Sequence, residues 1–222
     1  MKLSDTTISV LKNYSSINQN LKINAGNSLS TMSAMKNIVA QAKVEETFEK
    51  DVAIYDLNEF LAAMSLFDKP KLDFQDEYVM MGSDDDATSL KYWYSDPSVV
   101  TTVTKEITMP EPEVSFTLAS EELSNITKAA AVIGVPDMVL ENGVLKVTDK
   151  KNQTANAFSM DVVLGSQNDD TDYKFWFKVE NLKLMAGTYD VSVSSKNISH
   201  FKNKNVDVEY FIALEPESYY GA

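Results

Sequence analysis

One local pattern recurs along this chain and constrains its fold more than any single residue does. The stretch "VSFTLASEELSNITKAAAVI", which starts at Val114, is an alternating apolar run that gives way to small and acidic residues and then to helical spacing. The stretch "VAIYDLNEFLAAMSLF" from Val52 has the same layout. Because self-similarity indicates repeated structural units, the pattern predicts that the chain builds one strand-to-helix unit more than once.

Two weaker copies of the unit lie near the N-terminus and in the last third of the chain. "MKLSDTTISVLKNYSSI" has a very short apolar start, Ser4 or Asp5 as a suitable helix N-cap, and a helical pattern behind it. "FWFKVENLKLMAGTYDVSV" leaves room only for a short helix before Gly187. The four units, spaced roughly 50 to 60 residues apart, begin at Leu3, Ile54, Phe116 and Phe177. The copies match in pattern, not in identity.

The segments between the predicted helices read as strands joined by turns. "MVLENGVLKVTD" predicts a hairpin with Asn142 and Gly143 at its tight turn. "SLKYWYSD" and "NVDVEYFIAL" are rich in aromatic and β-branched residues and predict further strands. Helices packed on antiparallel sheets define an α+β fold class.

A proline-rich segment marks the expected division between domains. Three of the six prolines fall between Pro97 and Pro112. Because proline has no backbone N–H donor, this segment favours an extended connector over a paired strand. We predict an N-terminal domain at 1–95, a connector at 96–112 and a C-terminal domain at 113–222.

The first three predicted helices are amphipathic, with thinly charged outer faces. The residues expected on their buried sides are Val10, Leu11, Tyr14 and Ile17 in the first helix, Leu57, Phe60, Leu61, Met64 and Phe67 in the second, and Leu123, Ile126, Ala130 and Ile133 in the third. The outer face of the first helix carries Lys12, and that of the third carries Lys128. By themselves these lysines are typical of any solvated helix face.

Composition and charge exclude several classes of function. The net charge of −13 disfavours ordinary wrapping of nucleic acid, because an acidic surface repels phosphate. All 20 basic residues are lysines, so the arginine fork that most often reads guanine edges is missing, and any DNA contact should be indifferent to sequence. No run approaches the roughly eighteen apolar residues of a membrane span, and "MKLSDTT" lacks the apolar core of a secretion signal. We therefore expect a soluble, cytoplasmic protein that has no membrane partner.

Catalytic and metal-binding motifs are not recognisable in the sequence. "SDDDATS" lacks the alternating acidic spacing, central glycine and closing glutamate of a calcium loop, and we interpret it and "NDDTDY" as solvated loops. The chain has no cysteine, and His200 is its only histidine, so neither a thiolate site nor an imidazole pair can form. With no phosphate loop or nucleophile elbow either, we expect no enzymatic activity and no cofactor.

Five stretches together resemble one known family. "MKLSDTTISVLKNYSSIN", "DVAIYDLNEFLAAMSLF", "YWYSDPSVV", "NLKLMAGTY" and "VEYFIALEPES" are similar, in order and spacing, to the DNA polymerase sliding clamp of T-even-type bacteriophages. The resemblance extends from one terminus to the other. It implies a toroidal homotrimer with two similar domains per subunit, which encircles duplex DNA as a processivity factor and tethers the replicative polymerase. Four hole-lining helices per subunit would then explain the repeated unit, with the sheets forming the outer wall.

The resemblance also implies three sets of functional residues. The DNA-facing set is Lys12, Lys128 and Lys183, the subunit-interface set is Tyr92, Trp93, Tyr94, Phe158 and Met160, and the partner-binding set is Ile107, Met109, Pro110, Ala213, Leu214 and Pro216. In the second set, the strand of "KYWY" would pair edge to edge with "NAFSMDVVL" of a neighbouring subunit and so protect both edges. In the third, "KEITMPEPE", which by itself reads as a linker, would border a peptide pocket together with "ALEPE".

The partners implied by the resemblance are those of phage replication. They are double-stranded DNA, a C-terminal peptide of the DNA polymerase, an ATP-dependent clamp loader and phage transcription factors, all in the cytoplasm of an infected bacterial host. Without the resemblance, composition alone is equally typical of a phage structural protein or a β-rich binding module with no DNA role.

Overall fold

The structure is a computed structural model that describes residues 1–83, 88–105, 107–166 and 171–221. The chain divides into two units, Met1–Lys105 and Glu106–Ala222. The acidic stretches predicted as solvated loops fall largely on 84–87 and 167–170, which lie outside the described residues.

In its described residues, the first unit contains two α-helices and seven strands. Its elements in chain order are α1 (Asp5–Ile17), β1 (Leu21–Ile23), β2 (Gly26–Met32), β3 (Ile38–Phe48), β4 (Val52–Ile54), α2 (Leu57–Met64), β5 (Lys71–Phe74), β6 (Tyr78–Gly82) and β7 (Ser89–Trp93). Strand β1 pairs with β4, β2 with β3, and β6 with both β5 and β7, all antiparallel. A short 3-10 helix, Pro97–Val99, follows β7.

The part of the second unit that the structure describes contains α3 and ten strands. Its elements are β8 (Val114–Leu118), α3 (Ser120–Ile133), β9 (Asp137–Glu141), β10 (Val144–Thr148), β11 (Phe158–Asp161), β12 (Leu164–Ser166), β13 (Tyr173–Lys178), β14 (Tyr189–Ser194), β15 (Ile198–Asn203), β16 (Val208–Ala213) and β17 (Tyr219–Tyr220). One series of antiparallel pairs runs β12-β8-β14-β15-β16, and another runs β11-β10-β9-β13-β17. Helices on antiparallel sheets confirm the predicted α+β fold class.

Helix α1 begins where the sequence predicts. The side chain of Ser4 caps the helix by accepting a hydrogen bond from the backbone N–H of Thr7 at 3.2 Å. The four residues expected on its inner face are all buried, and α1 packs on β2 and β3. The carboxylate of Glu46, on β3, accepts from both the Ser4 N–H and the Thr7 hydroxyl, so the sheet holds the first turn of the helix.

The first strand-to-helix unit has almost no strand. The amino group of Met1 donates to the Leu72 carbonyl at 2.7 Å, and the Leu72 N–H donates back to the Met1 carbonyl at 2.7 Å. Leu3 and Ser4 have no strand conformation. The expected apolar start is therefore reduced to one residue paired with β5.

Helix α2 is short and leaves two expected core residues half-buried. The Asp56 side chain caps it by accepting from the N–H groups of Asn58 and Glu59 at 3.0 and 3.1 Å. Leu57, Phe60 and Met64 are buried as predicted, but Leu61 and Phe67 are only half-buried. They line a cavity of about 410 Å³ between α1 and α2, together with Leu3, Ile8, Pro70 and the rim residues Lys2, Lys12 and Lys69.

Helix α3 and the hairpin behind it follow the sequence closely. Leu123, Ile126 and Ala130 are buried, Ile133 is half-buried, and α3 packs on β10 and β11. The helix ends at Gly134, whose φ of 68° is left-handed. The predicted hairpin joins β9 to β10, and Asn142 and Gly143 have φ of 47° and 82°, as a tight turn of the primed type requires.

The prediction of a fourth helix is wrong. After β13 the chain forms only a three-residue 3-10 turn, Val179–Asn181. The residue before the turn, Lys178, has no side-chain cap hydrogen bond, and Leu182 leaves the helical region with φ −79° and ψ 52°. The segment before Gly187 is thus too short and too poorly capped to sustain an α-helix.

No helix among the residues described is long and apolar enough to cross a membrane.

We predict that Glu46→Ala lowers the free energy of unfolding by about 1 to 3 kcal/mol, because the buried Thr7 hydroxyl and the Ser4 N–H lose their acceptor. Burial opposes ionisation of Glu46, but these hydrogen bonds outweigh it and lower its pKa below the usual 4.5. A lowered carboxyl pKa stabilises the fold above the unfolded pKa. Urea titrations should therefore show the full difference from wild type above pH 4.5 and a shrinking difference as the pH falls below it.

Glu45→Ala is the matched control, since Glu45 is the exposed neighbour of Glu46 on β3. Its effect should stay within about 0.5 kcal/mol. Equal effects of the two variants would contradict the assigned role of Glu46.

Candidate functional site

Three surfaces contain the residues that the sequence singles out: the outward helix faces, two sheet edges, and the segments around 107–112 and 213–216. Lys12 is exposed on α1, on the side opposite the buried stripe, and borders the cavity beside α2. Lys128 is exposed on α3, one turn before Val132, which is 84% exposed. Each helix therefore presents one lysine on an otherwise uncharged or acidic face.

Lys183 has a different setting from the other two lysines. It follows the 3-10 turn Val179–Asn181 in an irregular segment and is half-buried. The sequence placed it on a short helix, and the structure places it on a loop. Its ammonium group is therefore not presented by a helix face as those of Lys12 and Lys128 are.

The first sheet edge is β7, whose only strand partner among the described residues is β6. Its side chains alternate, with Leu90 and Tyr92 turned toward the interior and Lys91 and Trp93 exposed. Tyr92 packs edge-on against Phe60 at 5.3 Å between ring centroids, and its hydroxyl donates to the Asp56 carbonyl at 3.2 Å. Tyr92 is therefore held half-buried against α2 of its own unit.

Trp93 is the large exposed group of this edge. Its side chain is 58% exposed, and its ring lies 5.3 Å from that of Tyr78 on β6. The ammonium group of Lys91 lies 4.2 Å from the Tyr78 ring centroid and 5.1 Å from that of Trp93. These contacts order the Trp93 ring without removing it from solvent.

Tyr94 follows the strand and is half-buried. Burial, and then the nearby Asp73 and Asp76 carboxylates, raise the pKa of its hydroxyl to about 12, so the group stays protonated. That hydroxyl is buried and has no hydrogen-bond partner among the described residues. A buried O–H donor without an acceptor is rare in folded proteins.

The second sheet edge is β11, which pairs with β10 alone among the described strands. Phe158 lies opposite Val147 and Met160 opposite Leu145 in this pair. Phe158 is 38% exposed and Met160 is half-buried. An apolar side chain and a row of backbone groups thus meet solvent at this edge, as at β7.

The predicted partner-binding residues all lie in the second unit, but they differ in exposure. Ile107, Met109 and Pro110 are half-buried on an irregular segment. Ala213 is half-buried at the end of β16 and Pro216 is exposed, whereas Leu214 is only 6% exposed. Leu214 is therefore a core residue.

Ion pairs that the sequence does not predict hold the segment after β16. Glu215 accepts from Lys150 at 3.0 Å, and Glu217 accepts from the same ammonium group at 3.0 Å. Burial opposes the charge on Lys150, but the two carboxylates outweigh it and raise the lysine's pKa. Lys178 in turn bonds the buried Asp137 at 2.6 Å. These residues are far apart in sequence, so no local pattern marks them.

Solved structures define the class of protein to which this fold belongs. The chain is similar to the Proliferating Cellular Nuclear Antigen of Entamoeba histolytica, with a TM-score of 0.69, 16% identity and coverage of 95% of each chain. It is also similar to the Helicobacter pylori beta clamp bound to DNA ligase peptide, with a TM-score of 0.64 and 15% identity over 99% of this chain and 68% of that chain. The fold is that of a DNA clamp.

Sequence relatives identify the family. The chain is 34% identical to the sliding clamp of Vibrio phage KVP40 over 97% of this chain and 99% of that protein, and 28% identical to that of Escherichia phage RB69 over 98% of each. The family described as DNA polymerase processivity factor matches residues 2–101, and gp45 sliding clamp, C terminal, matches residues 112–216. The chain belongs to the sliding clamp family of T4-like phages, as its sequence predicts. It is an accessory protein of replication and not an enzyme.

Proposed function

We propose that three copies of this chain close into a ring that encircles duplex DNA and tethers the replicative DNA polymerase for processive synthesis. The observation that carries the proposal is membership of the sliding clamp family along 97% of the chain. Two units per chain would give six units per ring. The ring forms in the cytoplasm of the infected bacterial cell and does no chemistry itself.

The two sheet edges support ring closure. Strands β7 and β11 each have one strand partner among the described residues, and each exposes a large aromatic side chain, Trp93 or Phe158. Backbone groups at an unpaired edge favour pairing with another chain. A head-to-tail contact of β7 with β11 of the next copy is heterologous and closes after three subunits if each turns by one third of a circle.

The charges support a DNA contact that does not read sequence. Lys12 and Lys128 are exposed on outward helix faces, and Lys183 adds a half-buried ammonium group. Lysine acts on phosphate as a point charge and fixes no register. A few such contacts in a ring of net charge −13 per subunit hold the duplex weakly, so topological enclosure supplies the tether.

The segments at 107–110 and 213–216 support a docking site for short peptides. Ile107, Met109 and Pro110 offer half-buried apolar side chains. Ala213 is half-buried, Pro216 is exposed and Leu214 is buried, and the proposal makes the two segments the two walls of one site. The ligands are the C-terminal peptide of the polymerase and the tails of the ATP-dependent clamp loader and of phage transcription factors. The Helicobacter pylori clamp was solved with a DNA ligase peptide, which supports peptide docking as a property of the fold.

The ring predicts that Trp93→Asp weakens assembly, because closure would bury a carboxylate against an apolar edge. Sedimentation equilibrium should show trimers of the 24.7 kDa chain for wild type, with half-dissociation shifted to at least about tenfold higher concentration in the variant. Val99→Asp is the control, since Val99 is 55% exposed outside the strands. A wild-type protein that stays monomeric at micromolar concentration would overturn the ring.

The DNA contact predicts that a triple variant, Lys12→Glu, Lys128→Glu and Lys183→Glu, weakens association with closed circular DNA while the trimer persists. The slope of log affinity against log salt should become shallower by about 0.9 for each phosphate that the variant no longer neutralises. The control reverses three exposed lysines elsewhere, Lys36, Lys71 and Lys196. Equal weakening by the two triple variants would show that total charge, and not these positions, governs the association.

The peptide site predicts that Met109→Glu reduces binding of a polymerase C-terminal peptide by at least about tenfold, since a charge would enter an apolar contact. Calorimetry measures the affinity, and sedimentation checks that the trimer is intact. The control is Met35→Glu, at a methionine that is 83% exposed. Leu214→Glu is unsuitable because that side chain lies in the core. Undiminished binding by Met109→Glu would place the peptide site elsewhere.

A further inference from the structure

The cavity between α1 and α2 is apolar inside and charged at its mouth. Its volume is about 410 Å³, which falls among the few hundred cubic ångströms typical of ligand pockets. Leu61 and Phe67 line it from the side of α2, and Leu3 and Ile8 line it from the side of α1. All four side chains are half-buried. The first unit therefore leaves apolar groups from two helices accessible at one place.

Hydrogen bonds fix the walls of this cavity. Where the chain leaves α2, the Phe67 N–H donates to the Met64 carbonyl at 3.2 Å, in a turn tighter than that of the helix. On the other side, Met1 and Leu72 exchange two hydrogen bonds of 2.7 Å, which hold the segment that contains Leu3. The cavity is therefore preformed, and an occupant does not have to order its walls.

The apolar surface continues outside the cavity. Leu66 lies between the lining residues Ser65 and Phe67 and is 71% exposed. Ala62, four residues earlier on α2, is exposed as well. A small molecule would be enclosed by the cavity alone, whereas this longer apolar surface suits a peptide that inserts one side chain and continues along the outside.

The charge at the mouth favours an acidic occupant. Lys2, Lys12 and Lys69 line the cavity, and all three are exposed. Asp5 and Asp68 line it too. Asp5 lies in the first turn of α1, where the positive end of the helix dipole offsets its charge. The mouth is thus locally cationic in a chain whose net charge is −13.

We propose that this cavity is a docking site for a short acidic peptide of a partner protein. One apolar side chain of the peptide lies against Leu61 and Phe67, and its carboxylates lie beside Lys2 and Lys69. The site shares no residue with the proposed peptide site at 107–110 and 213–216. Each chain would then bind two partner segments, one of them within the first unit.

Duplex DNA is the other occupant that lysines attract, and Lys12 belongs to the proposed DNA-facing set. Phosphates at the mouth would pair with the lysines but leave the apolar floor in contact with water. A peptide satisfies both parts of the cavity, because it brings an apolar side chain as well as carboxylates. Burial of the floor therefore favours the peptide.

Titration of the full-length chain with a defined peptide tests the inference. The probe is acetyl-Glu-Glu-Leu-Trp-Glu, and the matched probe acetyl-Lys-Lys-Leu-Trp-Lys keeps the apolar side chains and reverses the charge. Methyl NMR signals of Ile8 and Leu61 report where the probe binds, and anisotropy of a dye-labelled probe reports the affinity. The acidic probe should shift both signals and bind at least about tenfold more tightly than the basic one, against the net charge of the chain.

Two variants with matched controls test the position of the probe. Ser65→Trp fills the cavity from an exposed lining position and should weaken binding of the acidic probe at least about tenfold, and its control is Ser16→Trp on the exposed side of α1. Lys69→Glu should weaken binding by about threefold or more, because it reverses one charge at the mouth. Its control is Lys36→Glu, since Lys36 and Lys69 are both exposed and have φ of 58° and 49°.

Shifts of both methyl signals, with losses of affinity in both variants beyond their controls, support the inference. An acidic probe that does not bind at millimolar concentration overturns it, as does a basic probe that binds as tightly. Equal binding by Ser65→Trp and wild type, in a variant shown to be folded by thermal unfolding, also overturns it, and Lys69→Glu decides if Ser65→Trp does not fold. If a duplex oligonucleotide shifts the Ile8 and Leu61 signals and the acidic probe does not, the cavity is a DNA contact. A chain that binds the probe at this cavity but never forms trimers refutes the proposed ring and keeps the inference.

Discussion

The constraint on which the rest of the structure depends is hydrogen bonding of the backbone at sheet edges. Every strand pair described within the two units is antiparallel, and β7 and β11 each have one strand partner among the described residues, so their outward N–H and C=O groups must find other partners. Proteins that remain monomeric usually protect such edges with charge, proline or a covering element. Here β7 and β11 instead expose Trp93 and Phe158, which suits an edge that is covered by a second copy.

Positive charge is sparse on the helix faces. An acidic chain whose basic side chains are nearly all lysines is poorly suited to wrapping DNA or reading its bases, and the lysines on α1 and α3 are single charges on weakly charged faces. A clamp requires little more, because enclosure does not depend on affinity. A group of carboxylates, those of Asp51, Asp76, Glu77 and Asp96, lies instead around one cavity at the end of β7.

Much of this fold could be predicted from the sequence, because its signals are local. The Asn142-Gly143 turn, the Ser4 cap and the buried stripe of α1 follow from rules that involve residues within one or two turns of each other. The replacement of the fourth expected helix by a 3-10 turn could not be predicted, since capping and length at Val179–Asn181 fall just short of what an α-helix needs. The site was predicted only through resemblance, and sequence could not show that Leu214 is buried or that Tyr92 packs on Phe60. Both facts depend on contacts between distant segments.

The lysine that holds the segment after β16 has one further consequence. Because Lys150 bridges Glu215 and Glu217, that segment loses its conformational freedom when the unit folds and not when a ligand arrives. Ordering a loop during association subtracts from affinity, so at the proposed peptide site a segment that is ordered in advance would spare a short peptide this entropic loss. A preorganised surface of this kind can serve several successive ligands with small interfaces, each binding weakly enough to be exchanged for the next.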